Sequence, residues 1–262
     1  MLVWSTTIVR LMDESSLPVA IILAAGVGRR LAPLTDHCPK ALVEVGGRTF
    51  LDRAMHAVAA AGFQHAVIVT GHRAEMIEAA VRDGDWAIDV RCVLNPSYAT
   101  ANNIVSFLAA EEAIGDGFCL LNSDIVFDAS ILRDVASAGA GCWLAVDVDE
   151  PLGAEEMKVQ VDGDGLVRRI SKALRLEASA GEYVGIARFD AAGAAVVVQQ
   201  ARRLVVGGHT DLYYEDAFDR AAGELAIRTV SVAGRAWTEV DDLVDFRRAL
   251  QVARGLDASG GR

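Results

Sequence analysis

Apolar residues fall along this chain in two rhythms. Short, largely apolar runs, VAIILAA (19–25), HAVIVTG (65–71), IDVRCVLN (88–95) and GFCLLNSDIVF (117–127), predict strands buried on both faces. Between them lie stretches whose apolar positions recur every three to four residues: FLDRAMHAVAAAG (50–62), AEMIEAAVRDG (74–84), NIVSFLAAEEAIG (103–115) and a shorter one at 129–138. These predict amphipathic helices. Alternation of the two gives a mostly parallel sheet covered on both sides. Right-handed crossovers then set the strand C-terminal ends along one ligand-binding edge. After residue 140 the rhythm changes. GCWLAVDVD, MKVQVDGDGLVRRIS and GEYVGIARF read as mixed or antiparallel strands with an Asp-Gly turn at 162–165. Helices near 191–206 and 211–223, a strand over 225–232 and a closing helix in DDLVDFRRALQVARG follow. The absence of a repeat, a low-complexity linker or a second core predicts one α/β domain over 18–255. An extension (1–17) precedes it and a disordered tail (256–262) follows.

Composition narrows the partners. The chain has 262 residues, 52% of them hydrophobic, with a formal net charge of −11. So acidic a molecule offers no basic face for a nucleic-acid backbone, and anionic ligands must be met by a few local cations. No apolar run reaches the roughly 20 residues that cross a bilayer. Cys38, Cys92, Cys119 and Cys142 are scattered, with no paired spacing and no histidine cluster, and read as reduced thiols. The N-terminus has no long apolar leader. The expected setting is the cytoplasm, as a monomer or homodimer.

The candidate chemistry begins where the first strand ends. Gly26 and Gly28 open a turn nearly free of side chains, and Arg29, Arg30 and Lys40 follow. A glycine turn after a strand, closed by cations, suits a phosphate chain. A dinucleotide site starts the same way, but the third glycine is missing: position 31 is Leu, and the next strand closes in Thr70-Gly71 without a ribose-binding acid.

LAAGVGRRLAPLTDHCPKALVEVGG, residues 23–47, resembles the signature of the nucleoside-triphosphate transferase family, the sugar-phosphate nucleotidyltransferases and their relatives. The match is long. Arg29 departs from it, standing where Ser or Thr is commoner. The resemblance implies a Rossmann-like fold of the nucleotide-diphospho-sugar transferase type. It also implies that Leu23, Ala24, Ala25, Gly26, Val27, Gly28, Arg29 and Gly71 wrap the nucleotide, with Arg30 and Lys40 neutralising phosphates. Asp124 ends the fourth predicted strand, at the ligand edge. WTEVDD (237–242) resembles the family's distant acidic motif, so Mg²⁺ is expected on Asp124 and Asp241, supported by Glu239. Asp242 replaces the usual Thr there, and the proline expected two residues later is absent.

NPSYATANNIVSF, EEMKV, RRISK, GEYVGIARF and LYYEDAF occur together in the branch of phosphocholine and phosphonate cytidylyltransferases. By that resemblance Asn102, Asn103 and Ser106 meet the base or the acceptor, although a helix cap would account for one of the asparagines. Lys158 and Lys172 are implied phosphate ligands, with Glu182 and Tyr183 beside the acceptor. Glu215 and Asp216 either hold a cationic head group or only start a helix.

The reaction implied is transfer of CMP from CTP to a small phosphomonoester or phosphonate, with release of pyrophosphate. Lys40, Arg30, Asp124 and Asp241 would carry it. A sugar- or cyclitol-1-phosphate nucleotidyltransferase using CTP, dTTP or GTP is the alternative enzyme. A nucleotide-sensing subunit without turnover is the alternative of another class; its expected losses at Lys40 or the two aspartates are not present.

Overall fold

The computed structural model describes residues 17–149 and 151–260, so the extension read at 1–17 lies almost wholly outside the described residues. From the N-terminal side the elements are β1 (Val19–Leu23), a two-residue hairpin of β2 (Glu44–Val45) and β3 (Arg48–Thr49), α1 (Phe50–Ala60), β4 (His65–Thr70), α2 (Ala74–Asp83) and β5 (Asp89–Leu94). Next come α3 (Asn103–Ala109), α4 (Glu111–Ile114), β6 (Gly117–Asn122), β7 (Ile125–Phe127), α5 (Ala129–Ser137) and β8 (Cys142–Asp147). The chain closes with β9 (Lys158–Val161), β10 (Val167–Ser171), β11 (Gly181–Asp190), α6 (Ala191–Val206), α7 (Tyr214–Ala221), β12 (Ile227–Ser231), β13 (Trp237–Glu239) and α8 (Leu243–Gly260).

One nine-stranded sheet organises the molecule. β5, β4, β1 and β6 are parallel neighbours; β11 then runs antiparallel to β6 and leads to β9 and β10 on one path and to β8 and β12 on another. The period-two alternation of β1 shows why its sequence is apolar throughout. Ile21 and Leu23 face a core closed by α3, α6 and α7, while Ala20 and Ile22 face the opposite core closed by α1 and α5. Helix starts are written in the sequence: Thr49 accepts the amide of Asp52, Asp128 that of Ser130 and Asp190 that of Gly193.

Three departures from the sequence reading bear on the site. The predicted strand 117–127 divides at Ser123–Asp124. β6 stays in the large sheet while β7 leaves it to pair antiparallel with β13, Ile125 opposite Glu239 and Phe127 opposite Trp237. The predicted helix 103–115 divides at Ala110, where the bonding tightens to Ala110 N–Phe107 O and Ala113 N–Ala110 O. The tail expected to be disordered from 256 instead extends α8 through Gly260, and Arg53 holds Asp257 at 2.8 Å.

A third, smaller core joins the glycine-rich loop to the end of the chain. Leu31, Val43, Val45 and Phe50 pack with Val126, Val240, Ala249 and Ala253. A fully buried Leu contributes about 1.5–3 kcal/mol. Leu31 thus anchors a loop that has little regular structure of its own.

Candidate active site

The C-terminal ends of β1 and β6 open on one cavity of about 210 Å³, which Gly71, at the end of β4, does not line. Its floor is the turn after β1. Ala24 N donates to Val69 O (2.8 Å) and His72 N to Ala25 O (3.1 Å), tying this turn to the end of β4. Gly71 is required by that closeness, since a Cβ there would lie 2.6 Å from Tyr98 Cβ and 2.8 Å from Ala25 O. Gly28 sits at φ 68, and a Cβ on it would meet Lys40 Cβ at 2.9 Å. The loop therefore folds back until Lys40 rests against Gly28, and Thr35 Oγ1 fastens it with a bond to Gly28 O at 2.9 Å.

The acids arrive from two remote segments. β7 and β13 pair so that Asp124 O accepts the amide of Val240 (3.0 Å), which brings Asp124, Glu239 and Asp241 into one group. A carboxylate oxygen from each lies within 4.8 Å of the others. Lys40 Nζ stands between them, 2.7 Å from Asp124 Oδ2 and 3.2 Å from Asp241 Oδ1, and Arg30 reaches Asp241 at 2.7 Å. Burial alone would pull the Lys40 ammonium down, but Asp124 and Asp241 outweigh it and raise its pKa. Burial likewise pushes Asp241 upward, and Lys40 with Arg30 more than offset it, so its carboxyl stays below the ordinary range. Glu239 opens to the cavity yet is walled by protein. Loss of surrounding water first, then the charges of Asp124 and Asp241, push its carboxyl up to about 8.

These residues fit a hard divalent cation. The donors are all carboxylate oxygens, and Asp124 Oδ1 is buried without a hydrogen-bond partner. A cation seated there would satisfy that oxygen and offset the mutual repulsion that holds the Glu239 carboxyl so high.

The remaining wall separates residues that the sequence could not. Leu23, Ala24, Ala25 and Gly26 line the cavity, whereas Val27, Gly28 and Arg29 shape the loop behind it. Asn103 lines it and accepts the amide of Tyr214 (2.9 Å), and Ser106 lines it while accepting from Asn95 (2.9 Å). Asn102 is the helix cap: its Oδ1 accepts the amide of Asn103 and its amide group donates to Asp211 O. Lys172 and Tyr183 line the cavity.

Lys158 does not reach it. The expected phosphate ligand is 1% exposed, and its ammonium donates at 3.1 Å to each of the carbonyls of Gly153, Ala154 and Glu156, clamping the segment before β9. Glu182 is also outside. It faces a neighbouring depression beside Asp147 and Glu156, and burial followed by those two acids raises its carboxyl to about 7. Asp216 takes the helix-starting role, accepting the amide of Tyr213 at 2.8 Å.

Glu215, its neighbour, turns the other way. Its side chain enters the cavity, the residue is 5% exposed, and Oε2 has no partner. Burial is the main cause of its carboxyl rising to about 7. Six cavity residues carry no role in the sequence reading: Ala41, Asn122, Ser123, Glu155, Met157 and Tyr213. Tyr213, from the quoted LYYEDAF, holds the Lys172 ammonium 5.3 Å from its ring centroid. Asn122, two residues before Asp124, accepts from Tyr214 Oη at 3.0 Å.

A parallel-sheet edge bearing a glycine turn, two cations and a carboxylate triad thus lies on a nucleotide-diphospho-sugar transferase fold. The solved structure of the CTP:phosphocholine cytidylyltransferase from Streptococcus pneumoniae superposes with a TM-score of 0.77 at 24% identity, covering 90% of this chain and 100% of that one. The chain belongs to the MobA-like NTP transferase domain family, whose profile matches residues 20–157. It is 31% identical over 246 residues to the CMP-5'-(3-aminopropyl)phosphonate synthase of Streptomyces rubellomurinus; the match covers 88% of this chain but spans 38% of that protein's length. It is 25% identical over 239 residues to the choline-phosphate cytidylyltransferase of Streptococcus pneumoniae, covering 90% of this chain and 98% of the relative. Among the described residues no helix is long and apolar enough to cross a membrane.

Proposed function

We propose that the chain transfers CMP from CTP to a small phosphonate or phosphomonoester carrying a cationic head group. The observation that carries this reading is the buried, unpartnered carboxyl oxygen of Glu215, in the same cavity as Arg30, Lys40 and the acidic triad. The names of the two relatives, one an aminopropylphosphonate nucleotide synthase and one a phosphocholine cytidylyltransferase, support it from outside the structure.

In this reading the turn from Leu23 to Gly28 holds the nucleotide, and Arg30 and Lys40 take the triphosphate. Lys172 meets the acceptor's phosphonate, and Glu215 with the Tyr213 ring meets its cationic end. An acceptor oxygen then forms a bond to the α-phosphorus in line with the departing group. The α–β bridging bond breaks and its electron pair leaves on pyrophosphate. That oxygen is already an anion at neutral pH, so no general base is required. Alignment and charge neutralisation supply the catalysis. Asp124, Asp241 and Glu239 would hold Mg²⁺, which supplies a positive charge shared between the two reacting phosphates. The cytoplasm is the compartment this chemistry suits.

Four nucleoside triphosphates crossed with phosphocholine, 2-aminoethylphosphonate, a hydroxyalkylphosphonate and a hexose 1-phosphate, read by pyrophosphate release, test the proposal. CTP with an amine-bearing acceptor is expected to be the fastest pair. An unmet polar group in a buried site costs about 1–3 kcal/mol, which gives roughly 5- to 150-fold discrimination per mismatch. Preference for dTTP or GTP with the hexose 1-phosphate would overturn the acceptor and base while leaving nucleotidyl transfer in place. Absence of turnover with every pair would favour a sensing role.

Glu215 gives a separate expectation. Its carboxyl is neutral below a pH of about 7 and charged above it. The KM of an amine-bearing acceptor should therefore fall as the pH rises through that value. Glu215→Gln should remove this step and raise that KM about tenfold, with the KM for CTP unchanged. The buried carboxyl keeps its proton while the unfolded one ionises, so folding free energy is lost as the pH rises from about 4.5 to about 7 and the loss levels off above that. The ligand-free wild type should thus lose thermal stability across that window relative to Glu215→Gln. An uncharged acceptor responding in the same way would exclude a charge interaction.

A further inference from the structure

Arg73 breaks two local rules at once. It is the one non-glycine residue at positive φ among the described residues (φ 50, ψ 46), a region where its Cβ crowds the backbone. It also occupies the N-cap of α2, a position that favours a short oxygen-bearing side chain, and makes no cap bond. Strain of this kind persists where the surroundings fix it for another purpose.

The side chain shows the purpose. Nη1 donates to His37 O at 2.6 Å and Nη2 to Asp36 O at 2.7 Å. Those carbonyls belong to the outer turn of the phosphate loop, just before Pro39 and Lys40. The residue before Arg73 binds the other end of the same loop, His72 N to Ala25 O at 3.1 Å. One short connection after β4 thereby grips both arms of the loop. Between the arms Lys40 lies against Gly28, and its ammonium is placed at Asp124. Two other side-chain bonds at the turn, Thr35 Oγ1 to Gly28 O and the Cys38 thiol to Leu34 O at 3.3 Å, stay within the loop, which Leu31 and the Lys40 and Arg30 ion pairs hold at other points. The Arg73 fork ties this turn to the sheet-anchored β4–α2 connection.

We infer that Arg73 is a positioning residue for nucleotidyl transfer: its forked grip on Asp36 O and His37 O sets where Lys40 and Arg30 meet the triphosphate. The left-handed backbone is the geometry that aims the guanidinium back at the loop, which explains why the strained residue is an arginine and not a glycine.

Arg73→Gly separates the two effects, because glycine accepts the backbone conformation while deleting the fork. Its melting temperature should equal or exceed that of the wild type. Its kcat with CTP should fall about tenfold or more, since small displacements of a catalytic cation are costly. The KM of the acceptor should stay within about twofold, because Lys172 and Glu215 lie on other segments. Arg73→Lys, able to reach one carbonyl, should retain an intermediate rate. In the ligand-free chain, amide exchange over residues 36–41 should accelerate in Arg73→Gly and be unchanged in β6. The kinetic readout rests on the proposed CTP chemistry, whereas the exchange readout needs no substrate. A wild type inactive with every triphosphate would thus count against the reaction alone. Unaltered exchange over 36–41, or Arg73→Gly with kcat within twofold of the wild type, would overturn the role of Arg73. A rate loss matched by a lower melting temperature and a raised acceptor KM would reduce it to a general structural one.

Discussion

Asp124→Asn and Asp241→Asn should each lower turnover on the order of a thousandfold or more. Asparagine keeps the size and one oxygen of each side chain but removes the charge. In the resting chain that charge is met by Lys40, and by Arg30 as well at Asp241. In the reacting complex it would be met by the divalent cation. Without it, a triphosphate and an acceptor phosphonate face each other with less to offset their repulsion. Both variants should fold. Lys40 retains one carboxylate in either, and the β7–β13 ladder that carries the acids rests on Val126 and Val240, both fully buried. The check is a turnover measurement across a series of divalent cations together with a melting curve. Rates near normal in either variant would discard the carboxylate triad as the cation site.

Lys40→Ala should be the second severe lesion, of a different kind. Negative charge on the departing pyrophosphate grows only in the transition state, so a cation placed there lowers the barrier more than it tightens binding. The expected loss is about a thousandfold in kcat, against a change of about tenfold or less in the Kd for CTP. Rapid-quench single turnovers and equilibrium binding separate the two quantities. If affinity collapsed while the single-turnover rate held, Lys40 would serve to dock the nucleotide.

Much of this was legible in the residues. The apolar runs located β1, β4 and β6 because a strand buried on both faces leaves no polar position to blur it; β5, expected to be buried likewise, is instead the half-exposed edge of the sheet, with Leu94 53% exposed. The signature from Leu23 to Gly47 placed the loop. Two separate motifs, one ending in Asp124 and one holding Asp241, point to a single acidic group although they lie far apart in the chain. The ladder that brings them together was not legible. Ile125, Val126 and Phe127 continue the apolar run of β6, so nothing in the pattern shows the chain leaving one sheet for another. Lys158 misled for a related reason: alternation says which face of a strand a residue takes, not whether a loop will fold over to cover it with carbonyls. Glu215 and Asp216 were indistinguishable in sequence because adjacent residues on a helix point about 100° apart, and only packing decides which one turns inward. Arg73 gave no signal, since a left-handed arginine looks in sequence like any polar residue ahead of a helix.

The β7–β13 pairing also divides the site into an acidic half on one ladder and a basic half on one loop. Asp124 and Glu239 flank or belong to one short ladder, and Asp241 follows it directly. Arg30 and Lys40 sit on a loop of brief 3₁₀ turns held by a few side-chain bonds. At rest these two partners cancel each other, carboxylates against ammonium and guanidinium. A lone cation entering would strand the loop's positive charges, and a lone triphosphate drawing the loop away would strand the acids. A nucleotide arriving with its cation would leave neither side unmatched: in the proposed reaction the acids would hold the metal and the loop the phosphates, each charge exchanging one partner for another.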